Sequence, residues 1–202
     1  MDLLEKEDDC VIYSIGGNNR WEFELDLLRS TECHVHTFDC TGDRRRFRPP
    51  ESPRQHFHHT CLGPENAAGL GDKHPKCSEG AGPKDWQQTL CGDTKTLADI
   101  QRELGHRRVD LLKIDIEGWE WPIFDVVATD ALMPMQVLIE VHYGTYRTMG
   151  TKRVTHTNTT LTASDLARFQ SRLISMGYVV AKRDDNPICK HCTELTLLRV
   201  AC

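Results

Sequence analysis

The chain has 202 residues, of which 39% are hydrophobic and 27% are charged. This composition is sufficient for one sizeable core and excludes a disordered or fibrous protein. No apolar run approaches the roughly 20 residues that span a bilayer, and the acidic start from Met1 to Asp9 lacks the apolar stretch of a signal peptide. The net charge of −5 argues against a dedicated nucleic-acid surface.

The first part of the chain predicts two strands around one helix. Residues 10–17 form an apolar run that ends in Gly16 and Gly17, which is typical of a buried strand leading into a turn. Residues 21–29 have the apolar spacing of a helix packed on a sheet, and residues 34–38 predict a second strand. Residues 41–93 are rich in glycine and proline and predict a long loop with one short strand near 56–62.

Helices and strands alternate in the remainder of the chain. We predict helices over 96–105, 121–128 and 162–176, and strands over 109–116, 136–142, 178–182 and 194–200. This alternation predicts an α/β fold with a mostly parallel sheet. The last two strands have no helix between them, so they should form an antiparallel hairpin at or near one edge. A single domain is expected over residues 1–202.

The nine cysteines are spread along the chain, and Cys189 and Cys192 are the one close pair. A zinc site needs about four ligands, and no second pair is spaced to complete it, so no metal is predicted. We therefore expect reduced thiols, several of them buried as small hydrophobic side chains, in a protein that is cytoplasmic by default. One or two disulfides are the alternative if the natural protein is secretory and an N-terminal anchor is missing from this chain.

Polar residues follow four of the predicted strands. In a mostly parallel sheet, ligands bind beyond the carboxyl ends of the strands, where the strand order switches. The residues at these ends are Ser14, Gly16, Gly17, Asn18 and Asn19, then Asp39, then Asp115 and Glu117, and finally Glu140 and His142. This repeated polarity predicts a ligand site at that edge of the sheet.

The first two strand ends have the order and spacing of a nucleoside site. Gly16 and Gly17 let the backbone approach a ligand closely, and Asp39, 22 residues after Gly17, stands where a carboxylate accepts hydrogen bonds from ribose hydroxyls. A dinucleotide fingerprint would need glycines where the chain has Asn18 and Trp21, which disfavours a nicotinamide cofactor. S-adenosylmethionine has no phosphate and needs no such cradle.

Three segments carry a resemblance to known methyltransferases. Residues 111–120, LLKIDIEGWE, resemble the LLKIDIEGAE signature of FkbM-type S-adenosylmethionine-dependent methyltransferases, and residues 93–100, DTKTLADI, resemble the TLDD helix start of that family. Residues 11–24, VIYSIGGNNRWEFE, resemble the VYSFGxxxxxxFE opening of methyltransferase-22-type domains. Ser14 departs from the acidic residue that many methyltransferases carry at its position.

The resemblance implies a class I methyltransferase fold with a Rossmann-like, seven-stranded sheet. It also implies S-adenosylmethionine as cofactor and transfer of its methyl group, which we expect to reach a hydroxyl of a sugar or other small molecule. A catalytically inactive cofactor-binding or interaction domain is the alternative. The expected partner is a small-molecule or glycan acceptor and not a nucleic acid.

The last two polar strand ends supply the candidate catalytic residues. His142 is the candidate base for the hydroxyl proton, because an unperturbed histidine has a pKa near 6.5. Glu140 lies two residues earlier, on the same face of the strand, where it would orient the imidazole or contact the acceptor. Asp115 is the third candidate catalytic residue. A divalent cation held by two carboxylates and His142 is a minority alternative.

The predicted donor-binding residues come from both halves of the sheet. In the resembling family, the carboxylates of the segment that contains Asp115 and Glu117 lie beside the methionine end of the donor or beside the acceptor. The complete predicted donor-binding set is Ser14, Gly16, Gly17, Asn18, Asp39, Asp115 and Glu117.

Overall fold

The computed structural model describes residues 10–71, 73–77, 89–127, 133–142, 162–187, 189 and 192–200. The strands in these ranges are β1 (Val11–Ile15), β2 (His34–Phe38), β3 (Gln55–His58), β4 (Thr60–Leu62), β5 (Asp93–Lys95), β6 (Leu111–Ile114), β7 (Gln136–His142), β8 (Tyr178–Asp185) and β9 (Cys192–Arg199). The helices are α1 (Glu22–Ser30), α2 (Leu97–Leu104), α3 (Glu120–Val127) and α4 (Ala163–Ser175). Among the described residues, no helix has the length and apolarity needed to cross a bilayer.

Seven strands form one sheet in the order β3-β2-β1-β6-β7-β9-β8. The strands from β3 to β7 in this order are parallel to their neighbours. Strand β9 is inserted antiparallel between β7 and β8. This topology is the class I methyltransferase, Rossmann-like fold, and it confirms the predicted parallel sheet and C-terminal hairpin. The strand order switches between β1 and β6, so the carboxyl ends of these two strands border the crevice in which such sheets bind ligands.

The region 41–93 contains more strand than the sequence predicts. The single strand expected near 56–62 is two strands, of which β3 extends the main sheet and β4 pairs with β5 in a separate two-stranded sheet. Strand β5 was not predicted. These strands have three or four residues each, which is too short for an alternating pattern to stand out. Two predicted features, the acidic start at 1–9 and the helix end at residue 128, lie outside the described residues.

The central strands of the sheet are buried on both faces, whereas β8 at one edge is exposed along most of its length. Helices α2, α3 and α4 contribute to the larger apolar cluster, with Ile100, Phe124 and Leu173 among its members. Helix α1 belongs to the smaller cluster, where Leu27 packs with Ile12 and other residues of β1 and β2. Burial on both faces explains the nearly continuous apolar runs of the central strands. It also leaves the carboxyl ends of the strands as the place where polar groups gather.

Four disulfides join eight of the nine cysteines: Cys10–Cys33, Cys40–Cys61, Cys77–Cys91 and Cys189–Cys192. The prediction of reduced thiols is therefore wrong for these eight, and Cys202 lies outside the described residues. Cys10 and Cys33 directly precede the neighbouring strands β1 and β2, which brings their Cα atoms to 4.6 Å. Such pairing depends on which strands are neighbours, and spacing along the chain does not reveal that.

Five histidines form a cluster at the β2–β3 edge, which we call the histidine cluster: His34, His36, His56, His58 and His106. Nδ1 of His36 lies 3.0 Å from Nε2 of His58, and the rings of His36 and His56 stack with centroids 4.4 Å apart. Burial, followed by the proximity of the other imidazoles, lowers the pKa of His58 to about 4 and holds the pKa of His36 far below its ordinary value. Both rings are therefore neutral at pH 7.

Candidate active site

A cavity of about 620 Å3 opens at the carboxyl ends of β1, β2 and β6. Six of the seven predicted donor-binding residues line it: Gly16, Gly17, Asn18, Asp39, Asp115 and Glu117. The seventh, Ser14, is fully buried within β1 and is not among the lining residues. These six residues, which the sequence analysis assigned to the ends of three different strands, thus line a single cavity.

The turn after β1 presents backbone to this cavity because a side chain at Gly16 would not fit. Gly16 has a left-handed φ of 84°, and a Cβ there would overlap the carbonyl oxygen of Asp115 at the end of β6. Its amide donates to the carbonyl oxygen of Phe38 at 2.9 Å, which holds the turn against the end of β2. Asn18 and Asn19 continue the turn with φ values of 44° and 59°. Close approach of a ligand to this backbone is what the two glycines predict.

Asp39 joins this turn to the end of β2. Its side chain is 5% exposed, and Oδ2 accepts a hydrogen bond from the amide of Asn18 at 2.8 Å. Oδ1 accepts from the amide of Thr41 at 2.9 Å and from its hydroxyl at 2.5 Å. The glycine turn and the carboxyl group predicted to grip one nucleoside are therefore in direct contact.

Arg46 supports this arrangement and was not singled out by the sequence. Its guanidinium donates to the side-chain oxygen of Asn18 at 3.2 Å and to the hydroxyl of Thr41 at 2.8 Å, and it lies 3.9 Å from Oδ2 of Asp39. In the sequence alone, the basic run 44–48 is typical of a solvated loop. The sequence gives one indication that Arg46 supports Asp39: the run of arginines follows Asp39 closely along the chain, so one of them can pair with its carboxylate.

Carboxyl groups outnumber basic groups around the cavity. The acidic lining residues are Glu22, Glu24, Asp39, Asp115 and Glu117, and the basic ones are Arg20 and Lys113. Lys113 is partly matched already, because its Nζ lies 3.7 Å from Oδ2 of Asp115. An acidic lining suits a cationic ligand and repels a pyrophosphate. This electrostatic balance agrees with the absence of a dinucleotide fingerprint from the sequence.

A second group of polar side chains adjoins the cavity at the ends of β6 and β7. We call it the acid–imidazole cluster: Asp115, Glu117, Glu120, Glu140 and His142. Nε2 of His142 lies 3.6 Å from Oε2 of Glu140 and 3.9 Å from Oε2 of Glu117. Asp115 also belongs to the cluster, because its charge raises the pKa of Glu140. Glu140 and His142 lie close together, as their two-residue spacing on one strand predicts.

Glu120 is the member of this cluster that sequence reasoning missed. It is fully buried, and its Oε1 lies 3.1 Å from Nδ1 of His142. The same oxygen accepts hydrogen bonds from the amides of Ile116 and Gly118 at 3.1 Å and 3.3 Å. A glutamate in the first turn of a helix ordinarily indicates only a favourable helix start, so nothing in its local sequence pointed to His142.

The environment of the cluster changes the protonation of His142. Burial acts against the charged imidazolium, but the hydrogen bond and charge of Glu120, with the charges of Glu140 and Glu117, outweigh it and raise the pKa of His142 to about 9. Burial, followed by the charge of Asp115, raises the pKa of Glu140 to about 7 against the opposing effects of Asn186 and His142. At neutral pH His142 therefore carries a proton, whereas Glu140 is poised to gain or lose one.

Two members of the cluster and the neighbouring Cys192 have side chains of the types that bind metals. Atoms of Glu140, His142 and Cys192 lie within 4.8 Å of one another. In this structure the sulfur of Cys192 is bonded to Cys189, so it is not a thiolate ligand. One carboxylate and one protonated imidazole remain, and these do not match a zinc site, which takes deprotonated ligands and about four of them.

Comparison with known proteins bears on this site. Over 140 residues the chain is 26% identical to the human protein described as "Probable methyltransferase-like protein 24", a match that covers 68% of this chain and 34% of that protein. The rat protein of the same description is 28% identical over 136 residues, covering 66% of this chain and 33% of its own length. The matched region is thus about a third of these curated relatives.

Solved structures with a similar chain path include two methyltransferases. A mutant of the 16S rRNA (adenine(1408)-N(1))-methyltransferase from Catenulisporales acidiphilia has a TM-score of 0.45 and 12% identity, with 96% of this chain and 86% of that chain covered. The 1,6-didemethyltoxoflavin-N1-methyltransferase from Burkholderia thailandensis, solved with S-adenosylhomocysteine, has a TM-score of 0.39 and 13% identity, with 96% and 72% covered.

The family comparison covers nearly the whole chain. Residues 1–199 match the family described as "Methyltransferase domain", Methyltransf_22. This agrees with the resemblance of residues 11–24 to methyltransferase-22-type domains and with the strand order of the sheet. The chain therefore belongs to the Methyltransf_22 family of methyltransferase domains.

Proposed function

We propose that this chain is an S-adenosylmethionine-dependent methyltransferase domain that acts on a hydroxyl group of a sugar or other small molecule. The observation that carries the proposal is the continuity between the cavity and the acid–imidazole cluster. Asp115 and Glu117 belong to both, because they line the cavity and also interact with Glu140 and His142. A donor site beside a group that can take a proton is the arrangement that O-methylation needs.

The residues around the cavity fit S-adenosylmethionine. Gly16 and Gly17 leave room for a ligand at the backbone, and Asp39 stands at the end of β2, from which a carboxylate accepts hydrogen bonds from ribose hydroxyls. The acidic lining suits a ligand that carries a positively charged sulfur and an ammonium group. When bound, this cofactor supplies an electrophilic methyl group for in-line displacement.

The main contribution of the protein is to hold donor and acceptor in line at near-contact distance. The hydroxyl of the acceptor must also lose its proton as the new bond forms. We assign that proton to Glu140, because its pKa of about 7 matches neutral pH. His142 was the sequence-based candidate for this role, but a pKa of about 9 keeps it charged at pH 7. In our proposal His142 stabilises the ionised form of Glu140, and Glu120 holds His142 in place.

The disulfides favour the secretory pathway over the cytoplasm, the two locations that the sequence analysis considered. Disulfides form and persist in oxidising compartments and are rare in the cytosol. Four of them in the described residues support a protein that passes through the secretory pathway. The acceptor would then be a molecule present in that compartment, such as a glycan.

Calorimetry followed by a transfer assay tests the proposal. S-adenosylhomocysteine should bind in the micromolar range or tighter, whereas NAD should not bind; the reverse result would overturn it. Wild type and Glu140→Gln are then incubated with methyl-labelled S-adenosylmethionine and a panel of glycosides and other hydroxylated small molecules. Wild type should label an acceptor, and the variant should bind the cofactor equally but lose transfer. Binding without transfer to the whole panel supports the inactive-domain alternative.

A further inference from the structure

Glu24 is a buried carboxyl group at the wall of the cavity with one oxygen unused. It lies on α1 and is 1% exposed, yet it is one of the residues that line the cavity. The hydroxyl of Thr37 donates to its Oε1 at 3.4 Å. Its Oε2 has no hydrogen-bond partner among the described residues. Buried polar atoms without partners are rare in folded proteins, and each one calls for an explanation.

Packing does not explain a carboxyl group at this position. Leu27, one turn further along α1, is buried with Ile12 and Val35 against the sheet. The corresponding position one turn earlier would ordinarily hold an apolar residue as well. A carboxyl group here therefore costs stability when no ligand is present. Residues that cost stability in this way are common at binding sites.

The glycine turn leaves this carboxyl group open. A Cβ on Gly17 would lie 3.9 Å from Oε1 of Glu24 and 3.1 Å from Cγ2 of Thr37. Any larger side chain would therefore fill the space beside Glu24. Because residue 17 is glycine, the carboxyl group borders the same backbone that is proposed to meet the cofactor.

We propose that Glu24 binds the ammonium group at the methionine end of the cofactor, an inference that rests on the proposed function. The unused oxygen needs a hydrogen-bond donor, and the sulfonium sulfur of S-adenosylmethionine carries no hydrogen to donate. The ribose hydroxyls are assigned to Asp39. The ammonium group offers three donors and a positive charge, so its hydrogen bond to a carboxylate is charge-assisted. Glu24 thereby adds recognition of the amino-acid part of the donor to a site that holds the nucleoside elsewhere.

Two ligands separate this role from a structural one. S-adenosylhomocysteine carries the amino acid, whereas 5′-methylthioadenosine keeps the adenine, ribose and sulfur but lacks it. Calorimetry should show that Glu24→Gln binds S-adenosylhomocysteine about tenfold or more weakly than wild type does, while its affinity for 5′-methylthioadenosine is unchanged. Asp26→Asn is the matched control on the same helix, because the Asp26 side chain is 81% exposed and does not line the cavity. It should change neither affinity.

A third ligand keeps the inference testable if Glu24→Gln folds poorly. An analogue of S-adenosylhomocysteine without the amino group should bind wild type about tenfold more weakly than the parent compound. Equal binding of the two compounds would overturn the inference, as would an equal loss of S-adenosylhomocysteine and 5′-methylthioadenosine in a folded Glu24→Gln. Failure of wild type to bind either compound contradicts the proposed function instead, so the two failures are distinct.

Discussion

Glu120 and His142 form a fully enclosed pair, with Oε1 of the carboxyl group 3.1 Å from Nδ1 of the imidazole. The two residues come from α3 and β7, 22 positions apart. Because Glu120 engages Nδ1, the opposite nitrogen, Nε2, is directed to Glu140 and Glu117. The orientation and charge of His142 therefore depend on a residue that lines no part of the cavity described above.

Replacing Glu120 by Gln should lower the pKa of His142 from about 9 towards its ordinary value, because the hydrogen bond and charge of Glu120 are what most strongly raise it. The measurement is an NMR titration of the imidazole in both proteins. Since the folded-state pKa is raised, the stabilisation is complete below about pH 6.5 and is lost as the pH rises through about 9. At about pH 6 the variant should lose roughly 2–4 kcal/mol of unfolding free energy.

Glu117→Gln is the control for this experiment. Glu117 lies 3.9 Å from Nε2 of His142, and its side chain is 52% exposed, so solvent screens its charge. The pKa of His142 should shift less in this variant than in Glu120→Gln. A wild-type imidazole that titrates near 6.5 would contradict the environment described here and return His142 to the role of base.

The pH dependence of methyl transfer should identify the base. If Glu140 takes the proton, the rate rises with pH through about 7, as Glu140 ionises. In His142→Asn the neighbouring cation that lowers the pKa of Glu140 is gone, so the rising limb should move to higher pH while activity persists. Glu140→Gln should be inactive across the range. Loss of activity at every pH in His142→Asn, with Glu140→Gln still active, would contradict this assignment.

Asp39→Asn should weaken the binding of S-adenosylhomocysteine by about 1–3 kcal/mol through the loss of charge-assisted hydrogen bonds. Calorimetry measures the change directly. Asp39 also accepts hydrogen bonds from Asn18 and Thr41, so the control is Thr41→Val, which removes one of those contacts and keeps the carboxylate. Equal losses in the two variants would mean that Asp39 only orders the loop.

The histidine cluster should make the fold sensitive to acid. The pKa values of His36 and His58 are lowered in the folded protein. Below about pH 6.5 the unfolded chain therefore binds protons at these histidines, whereas the folded chain does not. Stability is thus complete above about pH 6.5 and is lost as the pH falls towards about 4. Urea unfolding at about pH 7.5 and about pH 5 should show a loss on the order of 1–2 kcal/mol from His58 alone.

His58→Gln should reduce this acid sensitivity, because glutamine does not titrate. His74→Gln, a change outside the histidine cluster, is the matched control and should keep the wild-type pH dependence. If His58→Gln and wild type lose the same stability between the two pH values, the cluster does not govern the response.

The disulfide between Cys10 and Cys33 should stabilise the fold measurably. It closes a separation of 23 residues, and such a loop contributes about 3 kcal/mol in the chain-entropy account. The double variant Cys10→Ser with Cys33→Ser should lose that amount in urea unfolding. Cys202→Ser serves as the control, since it removes a cysteine and leaves the four described disulfides in place. Peptide mapping without reductant should recover the four linked pairs, and recovery of unlinked cysteines would contradict the pairing.

Strands with a long apolar pattern were predictable, and short polar strands were not. The segments that became β1, β6 and β7 have apolar runs that only a buried strand explains, and their bounds fall close to the prediction. Strand β5 comprises Asp93, Thr94 and Lys95, a polar segment that is held by pairing with β4. The extended conformation of β5 depends on its pairing with β4, and the residues of β5 themselves give no sign of that pairing.

The candidate site divides in the same way. Asp39 and the glycine turn were found because strand ends in a parallel sheet converge by topology. Glu120 and Glu24 were missed because each sits in the first turn of a helix, where acidic residues are common for electrostatic reasons alone. Their importance comes from burial, which depends on how the helices pack. The raised pKa of His142 was not predictable from the sequence for the same reason, since it depends most strongly on the hydrogen bond and charge of Glu120 from α3.

Three of the four disulfides lie before α2, and Cys61 itself borders the cavity. Of these three, Cys40–Cys61 and Cys77–Cys91 cross-link the region after β2 that contains Cys61, whereas Cys10–Cys33 lies at the opposite, amino-terminal ends of β1 and β2. The side formed by β6 and β7 has the fourth disulfide, Cys189–Cys192, beside Glu140 and His142. Chains made where thiols stay reduced would therefore lack the covalent links that hold the wall at Cys61, where the nucleoside is proposed to bind. Maturation of such a protein would then be limited by thiol oxidation, and preparations from reducing hosts would understate its affinity for nucleosides.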